Sequence, residues 1–167
     1  MKVTTRFGEI EIDDKACIHL EDGLVGFPEA RRFCLVGRRE ESPFHWLQSL
    51  DEPTLALAVI SPMDFCEDYS FDLQESDAER LELQSAADAV VLTTVTVDHD
   101  NRCVTTNLLG PIIVNTRTLS ARQVVLSNEN FSTKHLLFEL RTADTPVEET
   151  GQEQAGECEE PFLAKAA

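Results

Sequence analysis

The stretch Asp88-Ala89-Val90-Val91-Leu92-Thr93-Thr94-Val95-Thr96-Val97-Asp98-His99-Asp100-Asn101-Arg102-Cys103-Val104-Thr105-Thr106-Asn107-Leu108 decides the fold class. Val and Thr dominate both arms, and β-branched side chains pack well on a pleated strand but lose rotamer freedom in a helix. Between the arms, Asp98-His99-Asp100-Asn101 is a cluster of turn formers. The reading is one long strand over 88–97, turned back into a second over 103–108.

Short strands recur on either side of this hairpin. Lys2 to Asp13 reads as a hairpin about Gly8, with Ile10 and Ile12 alternating with acids. Cys17–Leu20 and Phe33–Val36 are brief apolar runs bounded by Gly and Pro. His45–Leu50 and Leu55–Ile60 flank the turn Asp51-Glu52-Pro53-Thr54, and Ile112–Asn115 and Gln123–Leu126 complete the set. One helix is expected over Ser76–Leu83, with Ser76 and Glu79 placed to form a reciprocal capping box. Short strands at intervals of about 8–12 residues predict a mainly β fold, an antiparallel barrel or sandwich with one short helix.

The chain has 167 residues, enough for one ordinary domain. No run reaches the roughly 18 apolar residues of a membrane span, and Met1–Arg6 lacks the apolar core of a signal peptide, so a soluble cytoplasmic protein is expected. The five cysteines (17, 34, 66, 103 and 158) form no close pair, which argues against a zinc ribbon or a thioredoxin-type site and for small core hydrophobes.

Charge is unevenly placed. The net charge is −17, and residues 40–100 alone hold fifteen acids against Arg80. Direct nucleic-acid binding is excluded on sign, since it needs a basic footprint. Residues 142–167 carry seven acids and one base with few large apolar side chains, too little to offset the entropy of ordering. The expected organisation is a domain over 1–141 and an acidic disordered tail over 142–167.

Catalytic and metal chemistry find little support. His99 between two aspartates is the best metal candidate, but a polar turn accounts for the same residues. No nucleophile elbow is present, and Gly23-Leu24-Val25-Gly26 lacks the context of a dinucleotide fold. No cofactor and no enzyme activity are expected. What stands out is Pro62–Leu73, which interleaves Phe65, Tyr69 and Phe71 with Asp64, Glu67, Asp68 and Asp72. Aromatic anchors ringed by acids fit a face for a basic protein partner; the competing reading is core aromatics beside solvated acids.

Four blocks together resemble the FliW family of flagellar assembly factors. Phe44-His45-Trp46-Leu47-Gln48-Ser49-Leu50-Asp51-Glu52-Pro53-Thr54-Leu55-Ala56-Leu57 is similar to a family segment with Leu-Gln-Ser, a Pro and a Leu-Ala-Phe strand. Leu20–Phe27 resembles its Gly-x-Pro-Gly-Phe turn, and Val59–Phe71 its Asp-Pro-x-x-Phe…Asp-Tyr block. Thr106–Thr116 resembles its Asn-Leu-x-Ala-Pro-Ile-Val-Ile-Asn signature, and Lys134-His135 sits where members have a basic-His pair. Val25, Leu57, Ser61 and Gly110 depart from the usual Pro, Phe, Asp and Ala. The similarity spans about residues 3–140 and stops before the tail.

This resemblance implies a mainly β fold, a small antiparallel β-barrel-like domain with one short helix, and a non-enzymatic regulator that binds CsrA, a small basic translational repressor, and so relieves repression of flagellin mRNA. It also implies binding of flagellin in competition. The expected partner-binding residues are Asp51, Glu52, Asp64, Phe65, Glu67, Asp68, Tyr69 and Asp72. A dedicated cytoplasmic flagellin chaperone, with CsrA secondary or absent, is the alternative, and a ligand-binding or catalytic small barrel is a more distant one.

Overall fold

A computed structural model describes residues 2–37 and 42–140. Eleven strands are present among them: β1 (Lys2–Thr5), β2 (Gly8–Glu11), β3 (Ile18–Leu20), β4 (Arg32–Val36), β5 (Phe44–Ser49), β6 (Ala56–Ile60), β7 (Ala89–Asp98), β8 (Cys103–Thr106), β9 (Ile112–Asn115), β10 (Ser120–Gln123) and β11 (His135–Glu139). A single short helix, α1 (Glu75–Arg80), lies between β6 and β7. The expected mainly β barrel is observed. Strands β7-β6-β5-β4-β3-β10-β9 form a ring that closes because β7 also pairs with β9. Closure leaves no free edge among these seven strands.

The strand β7 does two jobs along its length. Ala89–Leu92 pair with β9, Thr93 and Thr94 pair with β6, and Val95–Asp98 leave the ring to pair with β8. With β11 laid on β8, this far half of β7 builds a three-stranded flap. All pairings in the ring are antiparallel except one: β3 and β10 run parallel, joined at Ser120–His19 and Ala121–Leu20.

Side-chain alternation sorts residues between inside and outside. Ile18, Leu20, Phe33, Leu47, Val59, Leu92, Ile112 and Val114 fill the barrel, each 1% exposed or less. Outward side chains are covered too, in two places. The β1–β2 hairpin lays Ile10 and Ile12 over Cys34 and Val36, with Phe7 against Trp46 at 5.1 Å. Elsewhere Leu81, just past α1, packs on Ile113 and Val124 with Phe71, Leu73 and Leu83 around it. Burial on both faces is why β9 reads as a continuous apolar run.

Three local expectations need correction. Ser76 does not cap the helix: α1 starts at Glu75 after Gln74, which puts Ser76 in the first turn. The reciprocal box forms instead between Ser85 and Asp88, opening the short 3₁₀ turn Ala86–Asp88 that leads into β7. The last barrel strand is Ser120–Gln123 rather than Gln123–Leu126, because opposite Val124 stands Pro111, which has no amide to continue the ladder. The strand β11 was not expected at all. Its bulge between Leu136 and Phe138 breaks the alternation that marks a strand. The acidic tail 142–167, and Cys158 within it, lie outside the described residues. Of the other cysteines, Cys34 is buried and Cys17, Cys66 and Cys103 are half-buried.

Gly23 sits at φ +68°, where a Cβ would come within 2.6 Å of the Pro28 carbonyl oxygen. Backbone cannot yield there as a flexible side chain would. Gly23→Ala is therefore expected to cost about 2 kcal/mol and to lower the melting temperature by several degrees, read by thermal unfolding.

Candidate partner-binding face

Beyond β6 the chain turns tightly instead of continuing as a strand. Pro62 opens a 3₁₀ turn over Pro62–Asp64, in which the Asp64 amide donates to Ser61 O and the Cys66 amide to Pro62 O at 2.9 Å. A second tight turn brings the Tyr69 amide to Cys66 O at 3.0 Å. These turns hold Asp64, Glu67 and Asp68 out in solvent. Tyr69, at 2% exposure, points the other way. Its hydroxyl donates to Leu108 O at 2.8 Å, and its ring lies 4.7 Å from Phe131 and 5.6 Å from Phe71. Burial pushes its phenol well above the ordinary range. Tyr69 anchors the acidic loop to the domain and offers no surface of its own.

Phe65 is placed differently. It is half-buried and lies 6.0 Å from the His135 ring of β11. On the same flap, Val97, Val104 and Phe138 stand opposite one another across three strands and so share a face. Phe138 and Val97 are 45% and 46% exposed, and Phe44 meets Phe138 edge-on at 6.2 Å. Met63 is half exposed on the acidic turn. An apolar face with acids from the neighbouring loop is the arrangement that results. His45, on β5 next to Phe44, is held below its ordinary pKa by burial, while the Asp64 carboxylate acts in the opposite direction.

The eight expected residues do not share one surface. Asp51 and Glu52 sit in the β5–β6 turn, whereas the 62–68 loop leaves the far end of β6. Five residues of strand, roughly 16 Å, separate them. Asp51 is also not free of a base: its Oδ1 accepts from Arg32 Nε at 2.7 Å, and its Oδ2 accepts from the amides of Arg31 and Arg32 at 2.9 and 2.8 Å. Asp51 thus pins the entry of β4 to the end of β5. Glu52 is exposed in the same turn, within reach of the Thr54 hydroxyl at 3.4 Å. Asp72 lines a separate polar cavity of about 380 Å³ with Ser127 and Asn128. The residues brought together are Asp64, Phe65, Glu67 and Asp68. Sequence reasoning missed Phe44, Val97 and Phe138, whose signal was only that they are apolar.

Burial acts to raise the Asp51 pKa, but the two amides and the Arg32 guanidinium outweigh it and hold the carboxyl below its ordinary range. A depressed folded-state pKa stabilises fully above the unfolded value, near about 3.9, and that share is lost as pH falls through the folded value. Asp51→Asn should be less stable than wild type at pH 7, with the gap closing below about pH 4. Urea midpoints of both proteins across pH 3–7 check this.

At the hairpin turn, Asp98 accepts from the Asn101 amide and side chain at 2.9 and 2.7 Å, which hold its carboxyl below the ordinary range. Its oxygens close a turn. Among the described residues no three His, Cys, Asp or Glu side chains converge as a metal site would need, and no helix is long and apolar enough to cross a membrane.

A model of the FliW protein family matches residues 2–137. The flagellar assembly factor FliW of Geotalea uraniireducens (strain Rf4) is 40% identical over 140 residues, covering 83% of this chain and 85% of that one. The FliW of Bacillus subtilis (strain 168) is 40% identical over 136 residues, covering 81% and 95%. A crystal structure of the flagellar assembly factor FliW superposes with a TM-score of 0.76 at 34% identity, over 83% of this chain and 97% of the other. With the closed barrel, the buried Asn115 of the Thr106–Thr116 block and the Pro62–Phe71 loop all in place, the chain belongs to the FliW family of flagellar assembly factors.

Proposed function

We propose that this protein acts in the cytoplasm as a non-enzymatic flagellar assembly factor that binds CsrA and thereby lifts its repression of flagellin mRNA. Flagellin binds in competition. The observation that carries this reading is the loop Asp64–Asp68, whose three carboxylates stand exposed and without an ion pair among the described residues, next to the apolar face of Phe65 and Phe138. A small basic RNA-binding protein is drawn to such a surface by charge and held by burial of its apolar centre. The names of the relatives, flagellar assembly factors, support the flagellar part.

The exposed Val97, Phe138 and Met63 also favour a second reading, a flagellin chaperone whose main task is to cover an apolar client segment. Titrating the purified protein with CsrA and with flagellin, at low and physiological salt, decides between them. CsrA affinity that falls with salt, together with displacement by flagellin, supports the regulator. Flagellin binding without CsrA binding supports the chaperone, and binding of neither removes both.

A further inference from the structure

Cys17 and Cys34 are far apart in sequence, and the pairing of β3 with β4 sets them side by side. That antiparallel ladder pairs Ile18 with Phe33 and His19 with Arg32. Cys17 continues it with extended backbone, φ −79° and ψ 118°, so the next rung is Cys17 opposite Cys34. The main-chain hydrogen bonds give the kind of rung. The Leu20 amide donates to Arg31 O at 2.7 Å, which makes Leu20 and Arg31 a hydrogen-bonded pair. The two kinds alternate, so Cys17 and Cys34, three rungs along, form a pair of the other, closer kind. Such pairs hold their Cα atoms about 4.5 Å apart, inside the roughly 4.4–6.8 Å that a disulfide spans.

Both residues are thiols in this structure. Their side chains share the outer face of the barrel wall, since Ile18 and Phe33 on the adjoining rung fill the core. Cys34 is fully buried, packed with Ile10 and Ile12 of the β1–β2 hairpin. Cys17 is half-buried at the end of the 3₁₀ turn Asp14–Ala16, so a small solute meets it before Cys34. A cation stands beside it. Asp51 does most to raise the Arg32 pKa, and charge on Cys17 adds to the effect, which puts the sulfur within electrostatic reach of the guanidinium. The bond from Arg32 Nε to Asp51 at 2.7 Å holds that guanidinium in place. A neighbouring cation favours the thiolate, which is the nucleophilic form.

We infer that Cys17 and Cys34 form a reversible redox site, in which a hydroperoxide oxidises Cys17 and Cys34 closes the disulfide. The Cys17 thiolate attacks one peroxide oxygen and the O–O bond breaks, leaving a sulfenic acid and, after protonation, an alcohol or water. The Cys34 sulfur then attacks the sulfenic sulfur. The S–S bond forms, and the sulfenic hydroxyl leaves with the Cys34 proton as water. The two thiols lose two electrons and the peroxide gains them. A dithiol reverses the reaction by exchange and is itself oxidised to a disulfide. The exposed thiol is the one attacked and the buried one resolves it, so the pair divides the two roles by depth. Neither residue belongs to the Asp64–Asp68 loop or the flap, and the site stands or falls separately from the proposed function.

The test treats the full-length wild-type protein with hydrogen peroxide at neutral pH. The protein is then quenched with acid, alkylated in denaturant and digested with trypsin without reduction. Cleavage after Lys15, Arg31, Arg32 and Arg38 separates the two cysteines, so the expected product is peptide 16–31 joined to peptide 33–38. It should exceed any other cysteine pairing about tenfold or more, since the fold holds these two sulfurs together. Dithiothreitol should remove it. Cys34→Ser should stop the reaction at Cys17, where dimedone traps the sulfenic acid, and Cys17→Ser should leave Cys34 open to alkylation. The wild-type digest needs no substitution, so it decides the matter even where a variant fails to fold. Peroxide that leaves both thiols alkylated overturns the inference, as does a sulfinic acid at Cys17 beside an unreacted Cys34. A main product that joins Cys66, Cys103 or Cys158, or that links two chains, overturns it as well.

Discussion

Alanine at Asn115 is expected to lower stability by about 3–4 kcal/mol, since each buried polar group left unpaired costs about 1–3 kcal/mol. Asn115 is fully buried at the end of β9. Its Nδ2 donates to Leu81 O at 2.8 Å and to Glu82 O at 3.1 Å, and its Oδ1 accepts from the amides of Arg117 at 2.8 Å and Thr118 at 3.3 Å. One side chain thus satisfies the carbonyls where α1 ends and the amides of the turn that leads to β10. Glu82 has left-handed backbone there, φ +54°, and among the described residues no other side chain hydrogen-bonds to it. Urea denaturation should show a lower midpoint with an unchanged slope. A loss under about 1 kcal/mol would mean that water replaces the amide, and that the tie between helix and barrel is dispensable.

Reversing Glu67 and Asp68 together to Lys should slow association with CsrA about tenfold or more at low salt, while leaving the melting temperature close to wild type. Both carboxylates are exposed and hold nothing in place among the described residues, so the fold does not depend on them. The double reversal moves the net charge from −17 to −13, and it does so where a basic partner would approach. Salt screens this field over about 8–10 Å, so the difference between variant and wild type should shrink at physiological salt. Phe138→Ala should act instead on dissociation, as an anchor in the centre of a contact does. Stopped-flow association rates at two salt concentrations measure the first effect. Equal rates and equal salt slopes would show that the loop is only a solvated surface.

The barrel was legible where turn signals bracket apolar runs, whether one face of the strand is buried or, as in β9, both. The Asp88–Leu108 hairpin was read nearly to the residue because turn formers bracket strongly β-branched runs, and the β5–β6 pair because Asp51-Glu52-Pro53-Thr54 marks the turn between two apolar runs. The errors fall where a tertiary partner sets the boundary. Pro111 across the ladder ends β10, and nothing within Gln123–Leu126 reveals it. In β11 a bulge merges Leu136, Leu137 and Phe138 into an apolar run without period. The capping box was sought at Ser76 when an equal pattern nine residues on, at Ser85, was the one used.

The site was legible in composition and not in space. Acids close in sequence were taken as one cluster, yet the β5–β6 hairpin holds Asp51 and Glu52 a strand's length away from Asp64. Phe65 and Tyr69 are four positions apart and each follows an aspartate, and only packing distinguishes the buried anchor from the half-exposed ring.

The parallel seam has a consequence for how the protein is made. His19 and Ser120 stand about a hundred positions apart, so the ring closes only across nearly the whole domain, and the entropy of that long loop must be met before the contact returns anything. During synthesis, β3 has its β4 neighbour early and waits for β10 until the last strands have left the ribosome. Until then the interior side chains of an open, curled sheet face water, and its two edges are free to pair with other chains. A cell making this protein therefore carries the risk from these two edges in the nascent chain, and the finished ring removes them in a single late step.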